Sequence, residues 1–277
     1  MTNPSPNRRP FAEITDVAMY YGGADGTLAL EDVTMSIDHG EIVAVVGPSG
    51  CGKSTLMRLM SGLWLATEGG VIIDGREVDR ALSIVGMAFQ NPTLLPWRSI
   101  LQNVMLPLEV VEEHRGRLRK HRAEYEAKAR ELLQLVGLAG FESKLPHQLS
   151  GGMQQRASLC RALIHEPKLL MLDEPFAALD IFTREELWGV LQDVCMTRKP
   201  TVVLVTHDLR EAVYLADRIL VMSARPGRII AERTVPFERP RGREQAFSPA
   251  FTALVQELRD LIDLARQAAP GGAEHVS

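Results

Sequence analysis

Short apolar runs alternate with stretches of helical spacing along most of this chain. IVAVV, LLMLD, TVVLV and ILVM have the length and composition of strands, and they fall within residues 41–47, 168–174, 201–208 and 218–224. The first run is rich in β-branched residues, as expected of a strand buried on both faces. Because helical patterns lie between these runs, the order predicts an α/β fold with a parallel sheet and crossover helices.

A second group of short runs lies nearer the N-terminus. Apolar alternation between residues 14 and 37 is broken by GGADG at 22–26, which predicts strands joined by a tight turn. Further short strands are predicted within 69–78 and 83–90. Residues 1–12 are polar and rich in proline, so we expect a flexible tail ahead of the main domain at 13–235.

Helical spacing dominates residues 98–165, which contain few strand candidates. Within it, the mainly basic run 112–122 is interpreted as a solvated helix or loop, with a phosphate or partner patch as the alternative. The stretch 123–138 predicts a helix that ends at Gly137 and has one apolar face. That face consists of Ala129, Leu132, Leu133 and Val136.

Residues 236–277 are predicted to form a C-terminal extension. A charged loop comes first, and an amphipathic helix then runs from about Phe251 to Arg266 before a tail rich in glycine and proline. Two roles are open for this helix, packing on the main domain or regulation of a dimer. We favour packing.

Composition narrows the class of protein. Hydrophobic residues make up 45% of the 277 residues and the net charge is -4, which is ordinary for a globular protein and gives no electrostatic basis for a nucleic-acid partner. Three unevenly spaced cysteines do not suggest a disulfide framework. No secretory signal and no run of about 18 apolar residues is present, so we expect a soluble cytoplasmic protein.

GPSGCGKST lies between a predicted buried strand and a predicted helix. It fits the phosphate-binding pattern G-x-x-x-x-G-K-[ST] in the context that the pattern requires. Lys53 would contact the β and γ phosphates of ATP, and the Ser54 hydroxyl would bind Mg²⁺. The predicted phosphate loop comprises Gly47, Pro48, Ser49, Gly50, Cys51, Gly52, Lys53, Ser54 and Thr55.

Catalytic candidates follow other predicted strands. Asp173 could orient the Mg²⁺ shell, and Glu174 could polarise a water for in-line attack on the γ phosphate. His207 and Gln90 also end strands, and Gln90 could contact Mg²⁺ or the attacking water. Taken alone, an acidic pair or a single histidine at a strand end is more often structural. A parallel sheet would bring all four to one edge.

LSGGMQQR, at 149–156, is a second glycine-containing helix start suited to a phosphate. One phosphate loop is already present, so the second cradle suggests that two copies sandwich the nucleotide. Taken with GPSGCGKST and LLMLDE, it makes residues 14–235 resemble an ATP-binding-cassette ATPase, the motor subunit of a membrane transporter. The resemblance implies a P-loop fold with a RecA-like core, an antiparallel β subdomain and a helical subdomain at about 93–160.

The same resemblance assigns further residues. Tyr21 falls on the aromatic that stacks on adenine, His207 on the switch histidine, and Gln90 on the Q-loop glutamine. AALD, at 177–180, resembles the D-loop, with Ala177 where serine is usual. The implied assembly is a head-to-tail dimer closing on two ATP molecules, in which Asp180 couples the two sites. The γ phosphate bound by the partner would be served by Ser150, Gly151, Gly152 and Gln154.

Other classes fit less well. Soluble cassette ATPases that act on DNA or ribosomes usually carry two cassettes or a long coiled coil, and this chain has one cassette and no sustained heptad repeat. A P-loop kinase or GTPase would not explain LSGGMQQR. A cassette without fused membrane helices is typical of bacterial importers, which implies a separate permease, a periplasmic or lipid-anchored solute-binding protein, and a peripheral position at the cytoplasmic face of the membrane.

Two passages resemble the nitrate, sulfonate and taurine importers, namely LLPWRSILQNV at 94–104 and MSARPGRII at 222–230, which contains ARPG. Either could instead be structural, a packed loop in the first case and a turn in the second. Small anions are the expected solutes, with pyrimidine vitamin precursors as the alternative. Prolines at 92 and 96 break any helix around LLPW. We therefore expect Leu94, Leu95, Pro96 and Trp97 to line the groove that receives the permease.

Overall fold

The computed structural model describes residues 9–22 and 26–267, which form two β-sheets and a set of helices. The strands are β1 (Ala12–Tyr21), β2 (Thr27–Ile37), β3 (Ile42–Val46), β4 (Glu68–Ile73), β5 (Arg76–Glu77), β6 (Val85–Ala88), β7 (Leu169–Asp173), β8 (Thr201–Val205), β9 (Arg218–Met222) and β10 (Ile229–Thr234). The longer helices are α1 (Lys53–Met60), α2 (Ile100–Val110), α3 (Glu112–Leu118), α4 (Arg122–Leu135), α5 (Gly151–Leu163), α6 (Ile181–Arg198), α7 (Leu209–Leu215) and α8 (Pro249–Gln267).

The larger sheet has the strand order β10-β9-β3-β8-β7-β6. Five consecutive strands of this sheet are parallel to one another, namely β9, β3, β8, β7 and β6. The edge strand β10 is antiparallel to β9. Every residue of β3, β7 and β8 is buried, which is why these segments are continuous apolar runs. The predicted α/β fold with a parallel sheet is confirmed, and the carboxyl ends of these strands meet at one edge.

The smaller sheet is antiparallel, with the order β2-β1-β4-β5. The turn predicted at GGADG falls partly outside the described residues, since 23–25 are not among them. The predicted tail extended too far. Phe11 is buried, its N–H donates to the Ile37 carbonyl at 2.8 Å, and Ala12 begins β1. A large aromatic anchor two residues before the alternating run therefore belongs to the sheet.

Strand β10 was not among the predicted strands. It pairs with β9 in the antiparallel sense at the edge of the larger sheet, and its residues alternate between half-buried and exposed. IIAERT has an apolar beginning and a charged end, so its alternation is weak, and the preceding Pro-Gly favours a simple turn. An edge strand pairs with one neighbour and is covered on one face only, so the hydrophobic alternation in its sequence is weak.

Helices α2, α4 and α5 pack together, and α5 also contacts β6. The apolar face predicted for α4 is confirmed, because Ala129, Leu132, Leu133 and Val136 are all buried. Gly137 follows with a φ of 70°, the left-handed conformation that ends the helix. Helix α3 has no buried residue, as expected of a solvated basic segment.

Helix α8 packs against α7 and β9. Phe251, Leu258 and Ile262 lie in the same apolar cluster as the main sheet, so the C-terminal helix is part of the cassette core. The segment before it is held by Arg241, whose buried guanidinium donates to the carbonyls of Val213 and Ala216 at the end of α7. Across residues 9–22 and 26–267, the model has no helix of the length and apolar character needed to cross a membrane.

Candidate active site

The segment from Gly47 to Gly52 forms a loop between β3 and α1. Gly50 and Gly52 have φ angles of 74° and 107°, which residues with a Cβ rarely adopt. A Cβ on Gly47 would lie 2.8 Å from the Met222 carbonyl oxygen. The glycines thus let the backbone turn tightly at the end of a buried strand, and the loop leads directly into the N-terminus of α1.

Lys53 supplies the positive charge of this loop. Its side chain is buried, and Nζ donates to the carbonyl oxygens of Gly47 and Pro48 at 2.9 Å each. These partners are neutral, so the ammonium has no carboxylate to neutralise it within the loop. A desolvated cation surrounded by backbone is the arrangement expected of a phosphate site, and the residues present fit a nucleotide triphosphate.

The ARPG segment supports the phosphate loop from behind. A Cβ on Gly227 would lie 2.0 Å from the Cys51 carbonyl oxygen, so only glycine fits. The Gly227 N–H donates to the Ala29 carbonyl at 2.9 Å, and its carbonyl accepts from the Glu31 N–H at 3.1 Å. The turn interpretation of this passage was incomplete, because the turn also fixes the position of the loop.

Asp173 ends β7 beside the phosphate loop. Burial raises the pKa of Asp173, while the neighbouring Ser54 hydroxyl acts in the opposite direction. The two residues predicted to share Mg²⁺ therefore lie close together. A hydroxyl and a carboxylate oxygen suit a hard cation that takes its remaining ligands from phosphate and water.

Glu174 follows at once with a φ of 47°, so its side chain leaves the strand in an unusual direction. Its Oε2 accepts a hydrogen bond from Gln90 Nε2 at 2.9 Å and lies 3.3 Å from His207 Nδ1. The three predicted catalytic residues thus meet on one carboxylate oxygen. They come from the ends of β7, β6 and β8, as the parallel sheet requires.

Two residues that sequence reasoning missed hold the Gln90 loop in place. Gln155 Nε2 donates to the Phe89 carbonyl at 3.0 Å, and the Arg161 guanidinium donates to the carbonyls of Pro92 and Thr93 at 2.7 and 2.9 Å. Both side chains lie on α5, the helix that begins at the second glycine motif. The available signal was an arginine within an otherwise apolar helical run.

Arg184 is a third residue that was missed. Nη1 donates to Asp208 Oδ2 at 2.9 Å, and Nη2 donates to the Leu179 carbonyl at 3.2 Å. Asp208 follows His207 and caps α7, while Leu179 lies in AALD. One guanidinium therefore connects the predicted D-loop to the residue after the switch histidine. A TRE triplet on a helix surface gave no sequence signal for this contact.

The second glycine motif has a different character. Ser150 caps α5, and its Oγ accepts from the Met153 N–H at 3.3 Å. A Cβ on Gly152 would lie 2.8 Å from Leu179 Cδ2, so this motif and the predicted D-loop touch. Gln154 Nε2 donates to the carbonyls of Pro146 and Leu149. The role predicted for Gln154 at a phosphate stays a prediction, since its amide nitrogen is engaged within its own subunit.

Two more predicted site residues lie near these motifs. Tyr21 reaches the phosphate loop, where its hydroxyl is 2.5 Å from Thr55 Oγ1 and its ring meets Trp64 edge-on. Adenine stacking by Tyr21 is compatible with this position and stays a prediction. Asp180 caps α6 by accepting from the Thr183 N–H at 3.0 Å, and this backbone hydrogen bond lowers the pKa of its carboxyl.

The prediction that LLPW lines the groove for the permease stays a prediction. A groove of about 580 Å³ does lie between β6 and α2, but Leu94, Leu95, Pro96 and Trp97 are not among its lining residues. The buried Asn103 side chain turns the loop away, because its Oδ1 accepts from Leu95 N–H and its Nδ2 donates to the carbonyls of Leu95 and Arg98. Trp97 is left 73% exposed.

The fold and this constellation define a P-loop ATPase. Residues 30–177 match the family model described as "ABC transporter". The aliphatic sulfonates import ATP-binding protein SsuB of Bacillus licheniformis is 42% identical over 236 residues, covering 85% of this chain and 88% of the relative. The nitrate import ATP-binding protein NrtD of Synechococcus elongatus is 41% identical over 237 residues, covering 85% of each protein.

Solved structures agree with these matches. The dimeric post-hydrolysis state of the ATP-binding cassette MJ0796, bound to ADP and phosphate, has a TM-score of 0.71 and 32% identity, covering 82% of this chain and all of that one. This chain belongs to the ABC transporter family. It is an ATP-binding protein whose hydrolysis of ATP is coupled to transport, as the resemblance of its motifs predicted.

Proposed function

We propose that this chain is the ATP-hydrolysing subunit of an importer for a small anion of the sulfonate or nitrate type. The relatives named above support this proposal, since their names state sulfonate and nitrate import. The observation that carries it is the groove beside the Gln90 loop, through which a membrane partner would act on the ATP site.

The geometry supports the following catalytic roles. Lys53 would hold the β and γ phosphates, while Ser54, Asp173 and Gln90 would hold Mg²⁺, which would neutralise phosphate charge. Glu174 polarises the attacking water once phosphate draws Gln90 and His207 away from its Oε2. In the structure both residues contact Glu174 Oε2, so they would have to move before that oxygen could act on a water.

The second glycine motif requires a second copy. The motif forms the start of α5, with Ser150 as the cap and Gly151 and Gly152 in the first turn, where helix N–H groups can face an anion. It lies beside the D-loop of the same subunit and contains no lysine. A head-to-tail pair places them on the phosphates held by the other subunit. The dimeric state of a solved relative supports this arrangement.

The groove is the proposed site for a cytoplasmic segment of the permease. Its lining is mostly apolar and includes Phe89, Leu106, Val110 and His165. Thr93 and Arg161 also line it, and they are hydrogen-bonded to each other, so an occupant presses on the segment that leads back to Gln90. We propose that the chain acts there at the cytoplasmic face of the membrane, with a solute-binding protein on the opposite side.

Co-purification with the permease of its gene neighbourhood tests this assembly. Val110 is 70% exposed and lines the groove, so Val110→Asp should reduce recovery of the complex by about tenfold or more. Leu135→Asp is the matched control, an exposed leucine on α4 that is outside the groove lining. Equal recovery of both variants would contradict the proposed docking site.

Solute identity needs a separate experiment, because the ATPase does not contact the solute. We expect a deletion strain to lose growth on an alkanesulfonate as sole sulfur source or on nitrate as sole nitrogen source. Growth with sulfate and ammonium is the control. Normal growth on both test sources, with loss only when a pyrimidine vitamin precursor is limiting, would support the alternative solute class.

A further inference from the structure

A cavity of about 550 Å³ lies beside the phosphate loop and is lined by Gly47, Ser49 and His207. Its remaining lining comes from α8 and from the start of α7, and we call it the arginine cavity. Leu209, Val255 and Ile262 give it an apolar portion. Its charged lining is mainly basic, with Arg210, Arg259 and Arg266 set against Asp208 and Asp263.

Part of this charge is already balanced. Asp208 is paired with Arg184 at 2.9 Å, and Asp263 lies 3.4 Å from Arg266. Arg210 and Arg259 are exposed and form no ion pair with any residue in the described part of the chain. The cavity therefore offers apolar surface together with two uncompensated positive charges, directly beside the γ-phosphate end of the nucleotide site.

The first turn of α6 has the complementary character, and we call it the α6 tip. Ile181 and Phe182 are 63% and 74% exposed, which is unusual for two adjacent large apolar side chains on a helix. The exposed Glu186 follows within two turns, whereas Glu185 is paired with Arg243 at 3.7 Å. The tip directly follows Asp180, and the D-loop before it touches Gly152 of the second glycine motif.

Chain connectivity determines where the α6 tip lies in a head-to-tail pair. The segment that leads to the D-loop begins at Glu174 in the nucleotide site of its own subunit, and the D-loop ends beside the glycine motif of that subunit, which would serve the partner's nucleotide. Each D-loop therefore runs between the two nucleotide sites, and its end reaches the partner's site on the side that faces the two-fold axis. In each subunit, the segment leading to the D-loop leaves the nucleotide site on this same side, where Glu174 contacts His207.

We propose that the arginine cavity of each subunit receives the α6 tip of a second copy when the two close on ATP. The cavity is lined by His207, so it lies on the side where the tip arrives. Ile181 and Phe182 then cover the apolar portion, while Glu186 approaches Arg210 and Arg259. This inference rests on the proposed dimer and makes helix α8 a part of the ATP-dependent interface.

Cross-linking between two different variants tests the contact directly. Phe182→Cys in one chain and Val255→Cys in the other, both with Glu174→Gln, are mixed with ATP and Mg²⁺ and treated with a short bismaleimide. The three native cysteines are buried and do not compete. We expect an ATP-dependent product of twice the chain mass. Leu264→Cys replaces Val255→Cys in the control, because Leu264 is exposed on α8 and outside the cavity lining.

Dimer affinity gives an independent measurement. Phe182→Ala should weaken ATP-induced dimerisation by about tenfold, with unchanged ATP affinity in the dilute monomer. Met196→Ala, at the far end of α6, should leave both unchanged. Dimerisation without the specific cross-link and without an effect of Phe182→Ala would overturn this inference alone. If Glu174→Gln forms no dimer with ATP, the proposed sandwich fails and this contact fails with it.

Discussion

The two glycine motifs of this chain look alike in sequence but differ in what surrounds them. At the phosphate loop, a buried lysine lies inside a tightly turned backbone that Gly227 supports from behind. At the second motif, Ser150 and Gly151 are exposed at a helix start, and the nearest contact is the D-loop. The first is a complete anion site, whereas the second is a half-site whose ligand must be brought to it.

Because of this difference, we expect nucleotide binding to depend on the phosphate loop and ATP hydrolysis to depend on both motifs. In the proposed head-to-tail dimer, a subunit would hold a nucleotide with its phosphate loop, and the partner would complete the surroundings of the γ phosphate with the second motif. Glu174 Oε2 is contacted by Gln90 and His207 in the structure, and both contacts would have to change for hydrolysis. Variants of the two motifs should therefore fail at different steps, which makes the comparison testable.

The largest effect is expected for Glu174→Gln. An amide cannot polarise water as a carboxylate does, so the hydrolysis rate should fall by about 100-fold or more. ATP binding should persist, and an ATP-bound dimer should accumulate because the step that releases it is blocked. Phosphate release and size-exclusion chromatography with ATP measure the two effects. Hydrolysis at the wild-type rate would show that another group activates the water.

Lys53→Ala and Ser150→Ala separate the two motifs. Removal of the buried ammonium should weaken ATP binding by about 100-fold, since a desolvated charge contact to phosphate is lost. Ser150→Ala should leave ATP affinity unchanged in the dilute monomer yet reduce ATP-dependent dimerisation. Titration of a fluorescent ATP analogue below the dimerisation concentration measures the first quantity. Unchanged affinity in Lys53→Ala would mean that the loop backbone alone binds the nucleotide.

Gly227→Ala tests the support behind the phosphate loop. The added methyl group would lie 2.0 Å from the Cys51 carbonyl oxygen, so the loop must move. Overpacking of this kind costs about 1–3 kcal/mol, and we expect ATP affinity to fall by about tenfold. Gly242→Ala is the control, because a Cβ there meets open space. Equal affinities for the two variants would show that the loop adjusts without cost.

Much of the fold could be predicted from the sequence because the buried parallel strands β3, β7 and β8 are continuous apolar runs. The edge strand β10 could not, since one neighbour and one covered face impose only a weak alternation. The orientation of the LLPW loop could not be predicted for a related reason. Composition indicated an exposed apolar loop, but the direction of that loop depends on the buried Asn103, whose hydrogen bonds no local pattern reveals.

The candidate site divides in the same way. Residues that end strands, such as Asp173 and Glu174, could be placed together from the parallel sheet alone. Arg161 and Arg184 could not, because each acts by joining two backbone segments that are distant in sequence. A long side chain on a helix gives no periodic signal for what it reaches. Sequence therefore predicts the groups that meet the nucleotide better than those that hold the groups in position.

Glu211 lies behind the switch histidine and is 3% exposed. Its Oε2 accepts from Thr206 Oγ1 at 3.1 Å, and the Asp208 N–H donates to the same Thr206 oxygen at 3.0 Å. Burial raises the pKa of Glu211 to about 8, and the neighbouring Asp208 adds to the effect. The folded protein thus keeps this carboxyl protonated at a pH where the unfolded chain has lost the proton.

The smallest and most specific prediction concerns Glu211→Gln. In the wild type, the stabilising effect of the proton is fully present below the unfolded pKa near 4.5 and is lost as pH rises toward about 8. Glutamine has a similar shape and does not titrate. The variant should therefore gain stability relative to the wild type as pH rises, by on the order of a few kcal/mol at pH 8. Thermal unfolding of both proteins between pH 5 and 8.5 measures this difference, and parallel curves would mean that Glu211 stays ionised in its buried position.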